Sequence, residues 1–390
     1  MALEAAYHYL QRAVGHGTST EALLLTVLLL LIIRLAWVRA FATTTASAKC
    51  KQQLPPTPPG KLPIIGHLHL IGSHPHVSFR DLAAKHGRDG LMLVHVGAVP
   101  TVVVSTPQAA EAVLRTHDHV FASRPRNPVA DIIRYNLFNE LIAEYEHGKE
   151  DNAEDFVHLL LSLKKEYGLS TDNVKAILVN MFEAAIETSF LVLEYSMAEL
   201  INNRHVMAKV QKEVRESTPG GEKLDLIMEE DLSGMPYLKA TIKEAMRIHP
   251  PAPFLLPHFS TNDCEVNGYT IPAGTRVIVN AWALARDPSH WERAEEFYPE
   301  RFLQEGRDAE VDMYGKDIRF VPFGAGRRIC AGATFAIATV EVMLANLIYH
   351  FDWELPSEME AIGAKVDMSD QFGMTLRRTE RLHLVPKIYK

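Results

Sequence analysis

Ten residues near the carboxyl end, Phe323-Gly324-Ala325-Gly326-Arg327-Arg328-Ile329-Cys330-Ala331-Gly332, restrict this chain more than any other stretch. Gly324 and Gly326 let the backbone turn sharply, approach a flat ligand closely and aim amides at a sulfur. An Ala-rich helical pattern then runs from Cys330 to about His350. A thiol at the start of a helix meets the positive dipole end and free N–H groups, which favour the thiolate. Arg328 adds charge suited to a carboxylate substituent of a bound ring. An isolated cysteine reads as a small buried hydrophobe, but one in such a loop has what axial ligation of a haem iron requires.

The other two cysteines, Cys50 and Cys264, are too few and too scattered for a disulfide framework or a four-ligand zinc site, which suits a reducing compartment. Of 390 residues, 40 are basic and 48 acidic, giving a net charge of −8 that argues against nucleic acid as a partner. With 47% apolar and 23% charged residues the chain is globular in composition and long enough for a sizeable core.

The amino end reads differently. Ala22 to Ile33 is uninterruptedly apolar and continues past Arg34 to Val38, enough to cross a bilayer if Arg34 snorkels. Arg34, Arg39, Lys49, Lys51 and Lys61 all lie on its carboxyl side, so residues 1–21 are expected in the lumen and the body in the cytosol. A cleaved secretory signal is the competing reading, with Ala40–Ala46 as its small-residue site. Residues 39–60 end in Leu54-Pro55-Pro56-Thr57-Pro58-Pro59-Gly60, which can be neither helix nor central strand and reads as a stiff hinge before a body at 61–390.

Within the body, Leu91–Val96 and Thr101–Ser105 read as a hairpin joined by Gly97–Pro100, and Pro107 opens a helix through Leu114. Thr171 to Ile201 keeps a helical pattern without proline or glycine, about 45 Å at 1.5 Å per residue. A helix near Tyr237–His249 and short strands across Glu265–Val279 follow. His67, His69, His74, His76, His117 and His119 lack accompanying carboxylates or thiols at helical spacing and read as solvated or core histidines. The fold class is mainly α with minor β.

The cysteine loop resembles the haem-binding signature F-x-x-G-x-R-x-C-x-G of the cytochrome P-450 haem-thiolate monooxygenases, matching all six specified positions. Glu244-Ala245-Met246-Arg247 is similar to the family's E-x-x-R, whose i and i+3 side chains share a helix face. Phe297-Tyr298-Pro299-Glu300-Arg301-Phe302 resembles F-x-P-E-R-F. The resemblance implies a structural lock of Glu244, Arg247 and Arg301, haem b ligated by Cys330, and haem contacts from Phe323, Gly324, Gly326, Arg328 and Ala184. Ala184-Ala185-Ile186-Glu187-Thr188-Ser189 resembles the oxygen-activation motif, with Ala185 where the pattern has glycine. It implies that Thr188, bonding back to the Ala184 carbonyl, and Glu187 manage protons during catalysis. The segment after E-x-x-R, with Pro253, Phe254 and Leu255, is the implied wall of an apolar substrate pocket.

The carboxyl half resembles plant endoplasmic-reticulum members, especially grass enzymes that hydroxylate indole and indolinone compounds. The implied reaction inserts one atom of O2 into a small apolar or aromatic substrate. The resemblance also implies electrons from NADPH through a flavoprotein reductase docked near Arg319, Arg327 and Arg328. Members of this branch are longer, and the two resembling blocks meet abruptly at Asn136-Leu137. Helices C to F and part of G have no counterpart, and Trp282–Arg286 is a decoy for the helix-C motif W-x-x-x-R. Their loss would expose the apolar face around Phe182, Phe190 and Leu193. Two rival readings follow: a shortened, catalytically defective member with weak or no haem binding, and a haem-thiolate isomerase or dehydratase that needs no reductase, which the Glu187-Thr188 pair disfavours.

Overall fold

The structure, a computed structural model, describes residues 53–125, 142, 145, 156–217, 225–363 and 365–389. The expected lumenal segment, the apolar run at 22–38 and the junction at 136/137 lie outside the described residues.

The body runs from Leu54 to Lys390. Its Pro-rich start is fastened down rather than free: Leu93 N donates to the Pro56 carbonyl at 2.8 Å. The fully buried His67 spans the same edge. Its Nδ1 accepts from His95 N at 2.9 Å, and its Nε2 donates to the Pro58 carbonyl at 3.1 Å. Both bonds form only with the neutral Nε2–H tautomer.

After helix α1 (Pro75–His86), strands β1 (Leu91–Val96) and β2 (Val99–Val104) pair antiparallel from Leu91↔Val104 to Val96↔Val99. The connection is tighter than the four residues expected. Gly97 takes φ +62°, a two-residue turn suffices, and Val99 and Pro100 join the ladder. Thr106 caps α2 (Pro107–Glu111), which runs on as one π turn to Thr116 before α3 (Asp118–Phe121).

Helix α4 (Phe156–Glu166) precedes α5 (Thr171–Asn202), whose start is closed by a reciprocal Ser170–Asn173 capping box. The surroundings of α5 change along its length. Val174, Leu178 and Val179 pack with Ile142, Val157 and Leu160. Leu191 to Ile201 is buried almost all round, among α6 (Arg204–Glu216) and α7 (Pro236–Ile248). Between these ends, Phe182, Ile186 and Phe190 are 50, 67 and 58% exposed, a stripe at i, i+4, i+8. Leu193, expected on that face, is buried, because the helix has entered the main core by then.

Strands β3 (His258–Phe259), β4 (Cys264–Val266), β5 (Tyr269–Ile271) and β6 (Arg276–Val279) lead into the short α8 (Ala281–Leu284). The main sheet has the order β1-β2-β6-β3, with β6 parallel to β2. Helix α9 (Ala333–His350) packs on α5, α6 and α7. It begins three residues beyond Cys330, with Gly332 at its N-cap, so the cysteine stands before the helix and not in its first turn as expected. Strand β7 (Phe351–Glu354), α10 (Ser357–Ala361), the hairpin β8 (Asp370–Phe372) and β9 (Leu376–Arg378), and β10 (Val385–Ile388) complete the body. Helices α5 and α9 are long and apolar enough to cross a membrane, yet they pack on each other in the body.

Candidate active site

The base of the site is a charged cluster with no access to solvent. Glu244 and Arg247 on α7 are fully buried and Arg301 is 3% exposed. The Arg247 guanidinium makes five hydrogen bonds, matching its five donors. They go to Glu244 Oε1 at 2.9 Å and Oε2 at 2.8 Å, and to the carbonyls of Ala285 at 2.7 Å, Ala294 at 2.7 Å and Glu296 at 3.2 Å. Arg301 donates to Glu244 Oε1 at 3.1 Å and to the carbonyls of Glu292 and Arg293. Tyr298 N adds a fourth bond to the carboxylate at 2.9 Å. One helix is thereby stitched to the whole loop from Ala285 to Arg301. The Trp282–Arg286 string is structural, Trp282 lying 5.2 Å from Arg80 and 4.8 Å from Arg286.

The cysteine loop is held by its own backbone. Cys330 N donates to Phe323 O at 2.9 Å and Ile329 N to Gly326 O at 3.1 Å, while Phe323 stacks on Tyr314. Gly326 has φ +66°, and a Cβ there would sit 1.8 Å from the Leu114 carbonyl oxygen, so this glycine serves close packing on the turn after α2. Gly324, at φ +71°, faces more open space, with Leu255 Cδ1 at 4.0 Å from a built Cβ. Cys330 itself is exposed, whereas Cys264 is buried.

Arg328 Nε donates to the Ala122 carbonyl at 2.5 Å. Arg124, which sequence reasoning missed, donates to the carbonyls of Leu256 at 2.6 Å and Pro257 at 2.8 Å. Burial and the neighbouring Arg328 charge push the Arg124 guanidinium down to about 10. His258 lies between them, bonded to Phe121 O at 2.9 Å; burial, then the two arginines, push it down to about 4. Neither arginine has a carboxylate partner among the described residues. An exposed thiol two residues beyond Arg328, with the Arg124 guanidinium near that of Arg328, is a donor set that fits a metal-bearing macrocycle with acidic side chains. Arg124 lies so far from Cys330 in the chain that spacing gave no signal for it.

On α5, Thr188 Oγ1 donates to Ala184 O at 2.5 Å, the back-bond expected from the sequence, and Ala184 is exposed. Glu187 is not free: Oε1 accepts from Thr375 Oγ1 at 2.5 Å and from Arg377 Nε at 2.6 Å. Of the expected pocket wall, Phe254 packs between Phe79 at 5.5 Å and Phe372 at 5.6 Å. Pro253 is buried, its carbonyl accepting from Trp282 N at 3.1 Å. Leu255 has φ +54°, a strained left-handed conformation that turns the segment toward the cysteine loop.

Two expected docking charges are already engaged. Arg319 pairs with Asp317 at 2.6 Å and Asp308 at 3.4 Å, and Arg327 with Asp118 at 3.0 Å. These two arginines therefore carry less free positive charge than their number implies.

A thiol loop, a buried Glu-Arg-Arg lock and a long helix with a back-bonded threonine belong together in one protein class. Residues 55–147 and 134–375 match the family model of cytochrome P-450 in two blocks, and the chain belongs to that family of haem-thiolate monooxygenases, whose cofactor is haem held by a cysteine thiolate. It is 58% identical to a 3-hydroxyindolin-2-one monooxygenase of Zea mays, over 100% of this chain and 99% of that one. It is 46% identical to an indolin-2-one monooxygenase (100% of each chain) and 38% identical to an indole-2-monooxygenase (98% of each), both from Zea mays. The first of these alignments spans 534 positions against a chain of 390 residues, so it opens wide gaps in this chain.

Proposed function

We propose that the chain is a membrane-anchored enzyme of the endoplasmic reticulum that inserts one oxygen atom from O2 into a small, apolar, indole-like substrate. NADPH supplies the electrons through a separate flavoprotein reductase. The observation that carries this reading is the exposed Cys330 thiol, two residues beyond Arg328, whose guanidinium neighbours that of Arg124. Cys330 would be the iron's ligand, and Arg124 and Arg328 would hold the carboxylates of the ring. When bound, the haem supplies the redox-active iron at which dioxygen is activated. Thr188, its proton donated to Ala184 O, would offer its oxygen lone pairs to a proton donor, and Glu187 would supply or withhold a proton according to its partners. Phe254 and Leu255 form an apolar wall suited to an aromatic substrate. The indole-like class rests on the names of the relatives.

A second reading is favoured by a specific observation. The stripe Phe182, Ile186, Phe190 stands exposed where a pocket roof would lie, and the two family-model blocks meet at 134–147. These support a chain that lacks helices C to F and part of G and is catalytically defective. The carbonyl difference spectrum of the reduced protein separates the readings, taken on this chain and on one with the gap restored. A thiolate-type band that disappears in Cys330→Ser supports the first reading. Absence of any Soret band in this chain, with its return in the restored chain, supports the second. A thiolate band unchanged in Cys330→Ser would remove Cys330 as ligand.

A further inference from the structure

Helix α5 carries two acids on one face, Glu187 and Glu194, seven residues and two turns apart. Both meet the β8–β9 hairpin. Arg378 pairs with Glu194 Oε1 at 3.7 Å, and Leu382 N reaches the same oxygen at 3.3 Å. Arg377 and Thr375 close on one oxygen of Glu187 at 2.6 and 2.5 Å. The far side of the hairpin is tied to the expected pocket wall: Leu376 N donates to Pro251 O at 2.9 Å and Phe372 packs on Phe254. Between these ties the loop carries Met374, 78% exposed, at its tip. One short hairpin thus touches the substrate segment and the acid of the helix motif at once.

We infer that Thr375 and Arg377 are positioning residues that latch Glu187 to the hairpin in its ionised form, so that the acid gives or takes a proton only as the hairpin lifts. The inference rests on the proposed proton role of Glu187, but the latch itself is a property of this chain alone. Arg377, then Thr375, hold the Glu187 carboxyl below its ordinary range. The other charges near it are Glu183 and Glu194 on its own helix and Arg378, which is engaged with Glu194. A ligand pressing on Met374 or Phe254 moves the same hairpin. Arrival of a substrate and release of the acid are therefore mechanically one event.

Hydrogen exchange of the 370–378 peptide in the purified full chain tests this without requiring turnover. After correction for intrinsic rates, Glu187→Gln, Arg377→Gln and Thr375→Val should each raise exchange about threefold or more at pH 7. The parent should lose its protection only as the pH falls through the lowered Glu187 value, and Arg377→Gln should move that midpoint upward. Glu183→Gln, one turn away and outside the latch, should match the parent. Parental exchange in all three latch variants would overturn the latch. So would loosening with no shift of the midpoint, which is what a purely structural contact gives. The proton role is read separately: loosened exchange with an unchanged pH profile and solvent isotope effect of turnover in Glu187→Gln would remove that role and leave the latch standing.

Discussion

Replacing Arg247 by alanine removes five hydrogen bonds from a site that water does not reach. Glu244 would keep only Arg301 Nε and Tyr298 N, and three carbonyls would lose a charged donor. Breaking a buried pair by deleting one partner costs about 3–5 kcal/mol, because the remaining charge stays desolvated. At about 2.1 cal/mol/K of unfolding entropy per residue, a body of this size loses about 1.4 °C per kcal/mol, so the midpoint falls by about 4–7 °C. Arg247→Lys keeps the charge but offers three donors in place of five and should lose about half as much. The reporter is internal: Trp291 is 1% exposed and its ring lies 5.3 Å from the Arg247 guanidinium. Urea unfolding followed by tryptophan emission gives the free energies directly. A loss below about 1 kcal/mol for Arg247→Ala would refute the reasoning, since it would mean that the carboxylate finds water or another partner at no cost.

Three further outcomes can be checked. Gly326→Ala places a Cβ 1.8 Å from the Leu114 carbonyl oxygen at φ +66°, and should cost about 2–4 kcal/mol, against about 1 kcal/mol for Gly324→Ala; equal midpoints in urea would contradict the packing role. His258 and His76 are both buried and held near 4, whereas an unfolded histidine titrates near 6.5. The unfolded chain then binds more protons between those values. Stability is thus lost as pH falls from about 6.5 toward 4, by about 2 kcal/mol per histidine at pH 5, and urea midpoints at pH 7 and 5 that coincide would count against it. Arg124→Gln should speed haem loss to an acceptor protein about tenfold, and an unchanged rate would remove it from the ring's carboxylates.

The sequence signals that survived into the structure are those with local physical causes. Thr171–Asn202 follows from a long helical period without proline or glycine, and Thr188 back-bonds because its acceptor is four residues away on the same helix. The Glu244–Arg247 pair is likewise local, at i and i+3. Arg124 and His258 were illegible because their placement depends on contacts across the fold, between the end of α3 with the residues after it and β3 with the residues before it. The partners of Glu187 were hidden for the same reason. Cys330 was placed too deep in its helix because Ala331-Gly332 shares the composition of the helix that follows, and only the Gly332 N-cap marks where the turns begin. The pairing of Arg319 with Asp317 and of Arg327 with Asp118 leaves no trace in composition, which shows only the arginines' charge.

The parallel pairing of β2 with β6 sets Thr101 against Arg276 and Val104 against Val279, and the chain between the two strands contains helices α2 to α7. Closing so long a loop carries an entropy that grows only with the logarithm of its length, about 0.6 kcal/mol per doubling. The pairing is thus almost indifferent to the length of the stretch between α3 and α4, which lies inside that loop and outside the Glu244–Arg247 helix. Residues can be gained or lost there at little cost to the framework, while the loss falls on whatever those residues covered.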